Sequence, residues 1–417
     1  MKDISNRSNK LERGLEWLLF LMAFSIPFSY AFNSIITGIL FLYSFLWFSR
    51  KNDSFLNKKT QTFYIFILFF IIQIIGVLYA NQTNTAIKSV IRNIPFLLFP
   101  ITFLNLSEVI DKKKIKMAIY GLLVGVVIIL LSAQSSILIK IISENESFNK
   151  LFFSYIRGPF IEQAIVSIHS PYFGLLAVFS LISSARLMFL NNISANRFFK
   201  GMLMLYLSFS LYEISAFMSI FLLFLFFIVH IIIIVKTRKK KDYLLLIFMT
   251  IALFSITFSF EDSSYEQRGA ETIFNRLTTI INKGDEVRKE NWESVMLTIK
   301  DHIIIGVGSD GGLKFLQQYR NINSEPFINK HNAHNQYLEI FLRYGIIGLS
   351  IYLLLVFKLI KQAFLSKNYF FRWFMVIFLL SSITESLLQR QIGIVFFTFF
   401  STLFLVYKDK NPKFVKN

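Results

Sequence analysis

The stretch NAHNQYLEIFLRYGIIGLSIYLLLVF, residues 332–357, sets the fold class. Its opening residues are polar. From Tyr337 to Phe357 it is dominated by Leu, Ile, Tyr and Phe. As an α-helix that second part rises roughly 30 Å, the thickness of a bilayer's hydrocarbon core. The stretch is therefore a junction, where a polar loop carrying a His-Asn pair runs into a membrane-spanning helix.

Working outward, apolar runs recur at 15–32, 33–49, 62–80, 89–106, 115–134, 164–190, 201–214, 216–235, 242–260, 337–357, 370–388 and 391–407. They are continuous, and too long for the alternating strands of about ten residues that build barrels. The expected fold is all-α: a polytopic membrane protein of about 12 transmembrane helices with a large, partly helical periplasmic loop. The run at 201–214 is short, and its break from the next rests on Tyr212-Glu213-Ile214-Ser215. Two spans, one bent hairpin or a re-entrant pair all fit there.

Composition agrees. The chain is 54% hydrophobic and 17% charged, against about 25% charged in soluble domains. The net charge of +19 needs no nucleic acid, because basic residues on cytoplasmic loops orient membrane proteins and meet anionic lipid heads. Cysteine is absent, which excludes disulfides and thiolate chemistry. The basic N-terminus precedes an apolar run without a small-residue cleavage site, so it reads as a retained first helix.

Charge placement predicts orientation. With Lys2, Arg7, Lys10 and Arg13 inside, every second connection is basic: Arg50, Lys51, Lys58 and Lys59, then Lys112 to Lys116, Arg197 and Lys200, Lys236 to Lys241, Lys358 to Arg372, and the tail from Lys408. The short intervening connections are nearly bare, so both termini are expected in the cytoplasm. Trp17, Trp47 and Trp373 fall at span ends, as interfacial anchors would. The chain divides into a membrane bundle at 1–260, a periplasmic loop subdomain at 261–336, and membrane helices with a cytoplasmic tail at 337–417. A second outside segment runs from Gln134 to Glu162. Within the long loop, Val287, Trp292, Val295, Met296 and Ile299 recur at helical spacing, before Gly306-Val307-Gly308-Ser309-Asp310-Gly311-Gly312 breaks the helix.

The chemistry-bearing residues gather at one membrane face. His334 has a ring that takes a proton from a hydroxyl near neutral pH, with Asn335 placed to orient it or to hold a sugar hydroxyl. The plainer reading is a loop histidine capping the next helix. His331, three residues earlier, is the weaker candidate; without Cys or a His-Glu-x-x-His pattern the pair is not read as a metal site. Arg268, Arg276, Arg288 and Arg320 offer planar guanidinium groups suited to phosphate, unless they form a solvated face. Arg288, one turn before Trp292, is the best placed. The glycine run lacks the spacing and the Lys-Ser/Thr of a P-loop. Ionisable groups at membrane depth mark sites more often than scaffolds. Here they are Arg92 before Asn93-Ile94-Pro95, His169 in Ile168-His169-Ser170-Pro171-Tyr172, and Glu385 and Arg390 around an outer turn. Pro171 opens the helix backbone there.

The architecture and these motifs resemble the O-antigen ligase and O-antigen polymerase superfamily. The resemblance is sharpest from Arg288-Lys289-Glu290-Asn291-Trp292 through Ile305-Gly306-Val307-Gly308 to His334-Asn335-Gln336-Tyr337-Leu338 and Gly345-Ile346-Ile347-Gly348. His169-Ser170-Pro171-Tyr172 is similar to an earlier His-x-x-Tyr element, and Glu385 to Gly393 to a closing Glu-…-Arg-Gln-x-Gly element. The resemblance implies a glycosyltransferase of the bacterial inner membrane that needs neither metal nor cofactor. It would move a glycan from undecaprenyl diphosphate to an acceptor sugar on the periplasmic side, as a ligase onto lipid A-core or as a polymerase onto another lipid-linked chain. It implies His334 as base and Arg288 on the diphosphate; Asn335, His169, Tyr172, Arg92, Glu385 and Arg390 are the further residues expected around the substrate. One departure stands out. The family often carries an arginine after the seventh span, where this chain has Ile214-Ser215-Ala216-Phe217-Met218-Ser219. Arg92, Arg157 or Arg390 would then share the diphosphate charge. A flippase of the same lipid-linked sugar would favour two related halves and a midplane site, and neither is visible.

Overall fold

The computed structural model describes residues 2–50, 60–146, 161, 164–190, 197–214, 216–237 and 286–407. The expected span at 242–260, together with Arg157, Arg268 and Arg276, lies outside the described residues. In chain order the helices are α1 (Lys2–Ser25), α2 (Tyr30–Ser44), α3 (Thr60–Leu78), α4 (Thr83–Arg92), α5 (Pro95–Asn105), α6 (Lys112–Ser143), α7 (Ser170–Leu190), α8 (Arg197–Ile214) and α9 (Phe217–Thr237). They continue with α10 (Glu286–Asp301), α11 (Leu313–Tyr319), α12 (Glu325–Ile328), α13 (Gln336–Leu365), α14 (Tyr369–Thr384) and α15 (Gln391–Val406). The chain is an all-α polytopic membrane protein. Six of its described helical stretches are long and apolar enough to cross a membrane, and four shorter apolar helices accompany them. Helices satisfy every backbone group internally, which a bilayer demands.

Two expected spans change shape for local reasons. The run at 89–106 is two helices, α4 and α5, because Pro95 has no N–H to continue the first and its fixed φ suits the start of the second. The run at 164–190 becomes helical only at Ser170, where Pro171 again opens the helix. The runs at 201–214 and 216–235 are separate helices, α8 and α9.

The contacts divide the chain into two compact units. Unit 1 holds 1–22, 30–117 and 283–417. Its centre is α15, whose residues Ile392 to Val406 are all buried, the mark of a core helix apolar on every side. Phenylalanines fill the space around it: Phe378 stacks on Phe397 at 4.4 Å and Phe99 meets Phe399 edge-on at 5.5 Å. Thr398 and Thr402 donate back to the carbonyls of Ile394 and Thr398, so neither hydroxyl is stranded. Trp17 is exposed, as an anchor would be, but Trp47 and Trp373 are buried and serve as core area instead. Unit 2 holds 23–29 and 118–282; in it α8 and α9 both pack on α7.

α13 is one helix with a break. Gly345 sits at φ 60°, ψ −164°, a region open almost only to glycine. The loop at 303–308 fills the gap. Val307 and Gly308 donate to the carbonyls of Leu342 and Arg343, both at 2.9 Å, and Ile346 and Ile347 donate to those of Ile303 and Ile304 at 2.8 and 3.4 Å. Beyond the break, Ile346, Ile347, Leu353, Leu354 and Phe357 form an exposed apolar stripe, the face a lipid would cover.

Candidate functional site

The site grows from α10. Its buried face presents Asn291, Ser294, Val295, Thr298 and Ile299, and Val295 and Ile299 join Val307, Leu316, Ala333 and Leu342 in one apolar cluster. Met296, expected on that face, is exposed. Two side chains of this helix grip the loop before α13: Asn291 Nδ2 donates to the Asn332 carbonyl at 2.6 Å, and Trp292 Nε1 to the Ala333 carbonyl at 2.9 Å. Arg288 lies one turn earlier on the same face, since residues three and four apart are neighbours.

Arg320 is buried and donates to the carbonyls of Pro326 and His331 at 3.1 and 2.9 Å, to Ser294 Oγ at 3.2 Å and to Asn291 Oδ1. This corrects its reading as a phosphate ligand or a solvated side chain, because its N–H groups are committed to holding α10, α12 and the His331 backbone together. Burial pushes its guanidinium down from the ordinary value, opposed by the charges of Glu339 and Glu290. Arg320→Ala strands buried acceptors and is expected to cost about 2–4 kcal/mol. A thermal melt of the detergent-solubilised protein checks this, and an unchanged midpoint would refute it.

His334 stands at φ 45°, held by its own N–H donating to Asn332 Oδ1 at 2.9 Å. Its Nδ1 lies 3.3 Å from Glu385 Oε2, with the two side chains 28% and 13% exposed. In the tautomer that donates Nδ1–H to the carboxylate, Nε2 keeps its lone pair and faces away from Glu385. His331 packs edge-on at 5.1 Å and lies 3.9 Å from Glu325. Desolvation, then the charge of His334, push its pKa below the ordinary value.

Asn335, rather than His334, caps α13. Its Oδ1 accepts from the N–H groups of Tyr337 and Leu338 at 3.0 and 3.1 Å. The turn after α14 is pinned to this helix start: Asn335 N–H donates to Ser386 Oγ at 3.2 Å, and Leu388 N–H to Gln336 Oε1 at 2.6 Å. Arg92 donates to the Gln389 carbonyl of the same turn, and exposed Arg390 follows it. Unit 1 thus gathers His334, Asn335, Glu385, Arg92 and Arg390 about one turn, with Arg288 on the helix that grips the His334 loop. His169 and Tyr172 belong to unit 2, where their rings meet edge-on at 5.9 Å.

The glycine run does not cradle phosphate. The N–H groups of Gly306, Val307, Gly308, Ser309 and Gly311 donate to backbone carbonyls, and that of Gly312 to Asp310 Oδ1. The residues that sequence reasoning passed over are Glu339 and Arg343, a buried ion pair at 2.6 Å. Their i,i+4 spacing inside an apolar run is the signal available beforehand. Among the described residues, no three His, Asp or Glu side chains group as metal ligands would.

No curated protein matches the chain. Residues 201–353, which include Arg288, His334 and Asn335, match the family model for O-antigen ligase, and this supports the likeness to the O-antigen ligase and polymerase superfamily.

Proposed function

We propose that the chain moves a glycan from undecaprenyl diphosphate to an acceptor sugar hydroxyl, as an O-antigen ligase whose acceptor is lipid A-core. The observation that carries this reading is His334 backed by Glu385 at 3.3 Å, with Arg92 bonded to the turn that follows Glu385. His334 Nε2 takes the acceptor hydroxyl proton, and the freed oxygen attacks the anomeric carbon. The bond from that carbon to the diphosphate oxygen breaks, and the diphosphate leaves with the electron pair. Glu385 stabilises the imidazolium that forms. Arg288, Arg92 and Arg390 meet the departing charge, so no metal is needed. His169 and Tyr172 are assigned to the substrate from their motif. The alternation of basic connections supports cytoplasmic termini, an inner-membrane location and a periplasmic site.

Arg288→Ala tests the donor half. In full-length protein reconstituted in nanodiscs with lipid-linked glycan, the donor KM is expected to rise about 10- to 100-fold, the loss of a charge-assisted hydrogen bond. An unchanged donor KM removes Arg288 from the diphosphate. Glycan analysis of a deletion strain then separates the acceptors. Long glycan accumulating on the lipid carrier supports the ligase, and single repeat units on the acceptor indicate a polymerase.

A further inference from the structure

The mechanism above leaves one buried charged pair unused. Glu339 is 1% exposed and Arg343 8%, and Arg343 Nε donates to Glu339 Oε1 at 2.6 Å. A pair serving stability alone would need only itself. Here each partner has a second commitment. Glu339 Oε2 accepts the N–H of Ala333 at 2.9 Å, the peptide next to His334. An Arg343 Nη1 donates to the Ser309 carbonyl at 2.6 Å and reaches Ser89 Oγ at 3.5 Å. Ser89 lies on α4, one turn before Arg92. Gly311 leaves room for the guanidinium: a Cβ there would meet Arg343 Nη2 at 2.5 Å.

The position these contacts control is a strained one. A histidine at positive φ persists only where its surroundings over-determine it. Asn332 Oδ1, Asn291 and Trp292 hold the loop with neutral hydrogen bonds. Glu339 adds a charge-assisted bond, roughly twice as strong. It cannot swing away without leaving Arg343 buried and unpaired, which is strongly unfavourable. The carboxylate is therefore a stiff acceptor, and Arg343 transmits that stiffness to the loop that fills the break in α13 and to the helix bearing Arg92.

We propose that Glu339 and Arg343 are positioning residues of the transfer site, holding the His334 loop by the Ala333 amide and registering it against the end of α4. This rests on the reading of His334 as the base.

The test compares the full-length wild type in nanodiscs with two variants. Glu339→Gln leaves Arg343 without its charge partner and is the variant at risk of not folding. The double variant Glu339→Leu/Arg343→Met replaces the pair with apolar side chains, a change that is often neutral or stabilising, while removing the acceptor for Ala333. The double variant is expected to melt below wild type but above Glu339→Gln, since it strands the Ala333 N–H and the Ser309 carbonyl but no charge, and to keep its donor KM within about twofold, with kcat down about 10²-fold, the cost of a misplacement near 1 Å. Carbethoxylation by diethyl pyrocarbonate, read by peptide mass spectrometry, is expected to speed up at His334 and not at buried His230. Wild-type kcat in the double variant overturns the proposal, as does equal acceleration at His230, which would mark general loosening. If His334→Asn retains transfer, the base reading falls; the labelling arm still decides whether Glu339 holds the loop.

Discussion

Replacing His334 with Asn is expected to lower glycan transfer by about 10²- to 10⁴-fold, the contribution of a positioned general base. Asparagine is the sharper substitution. His334 occupies φ 45°, where an alanine meets a backbone penalty of about 1–2 kcal/mol and asparagine is well tolerated. His334→Ala therefore mixes lost chemistry with strain, while His334→Asn removes the base alone. The measurement is single-turnover transfer from lipid-linked glycan to acceptor in nanodiscs, with donor binding followed separately. Both variants should bind donor and fail to transfer it. Transfer at the wild-type rate by His334→Asn would remove His334 as base and direct attention to His331, its edge-on neighbour at 5.1 Å.

Gly345→Ala is expected to destabilise the protein by more than about 4 kcal/mol, in the range reserved for backbone conflicts. Two causes add. The torsions φ 60°, ψ −164° carry a penalty of about 1–3 kcal/mol for any residue with a side chain. A Cβ at this position would also lie 2.2 Å from the Ile304 carbonyl oxygen and 2.6 Å from the Ile305 nitrogen. Backbone does not yield as a side-chain tip would, so relief requires the loop at 303–308 to withdraw. That withdrawal leaves the carbonyls of Leu342 and Arg343 and the N–H groups of Ile346 and Ile347 unpaired in an apolar setting. The melting midpoint in detergent should fall by about 5 °C or more, or monodisperse protein should not be recovered. Gly38→Ala is the matched control: nothing lies within 4 Å of its Cβ position, and a helical alanine there should be neutral or slightly stabilising. A wild-type midpoint for Gly345→Ala would refute the plugged break.

The bilayer makes much of this protein local. A long apolar run has one practical way to satisfy its own backbone, so runs such as 62–80 and 391–407 announce α3 and α15 without reference to anything else. Proline acts locally too: Asn93-Ile94-Pro95 and Ser170-Pro171 mark where α5 and α7 begin. The position of His334 at the meeting of polar loop and helix was legible for the same reason, as was the helical spacing that places Arg288 one turn from Trp292.

What the pattern of residues did not carry were the partnerships between distant segments. Glu385 faces His334 across 51 positions of sequence, and neither side chain's local context names the other. Arg320 reads as a surface cation until its acceptors on α10 and near α12 close around it. The glycine run reads only as a helix breaker until its N–H groups meet the carbonyls of α13 and of Gly76. Gly345 passes for a tolerated helix glycine until a loop some forty residues earlier inserts its backbone into the gap. Hydrogen bonds and charges act at about 3 Å, so which of several arginines and glycines serve the site is settled only when folding brings those atoms to that distance; hydrophobic run length, which any segment carries within itself, settles the helices beforehand.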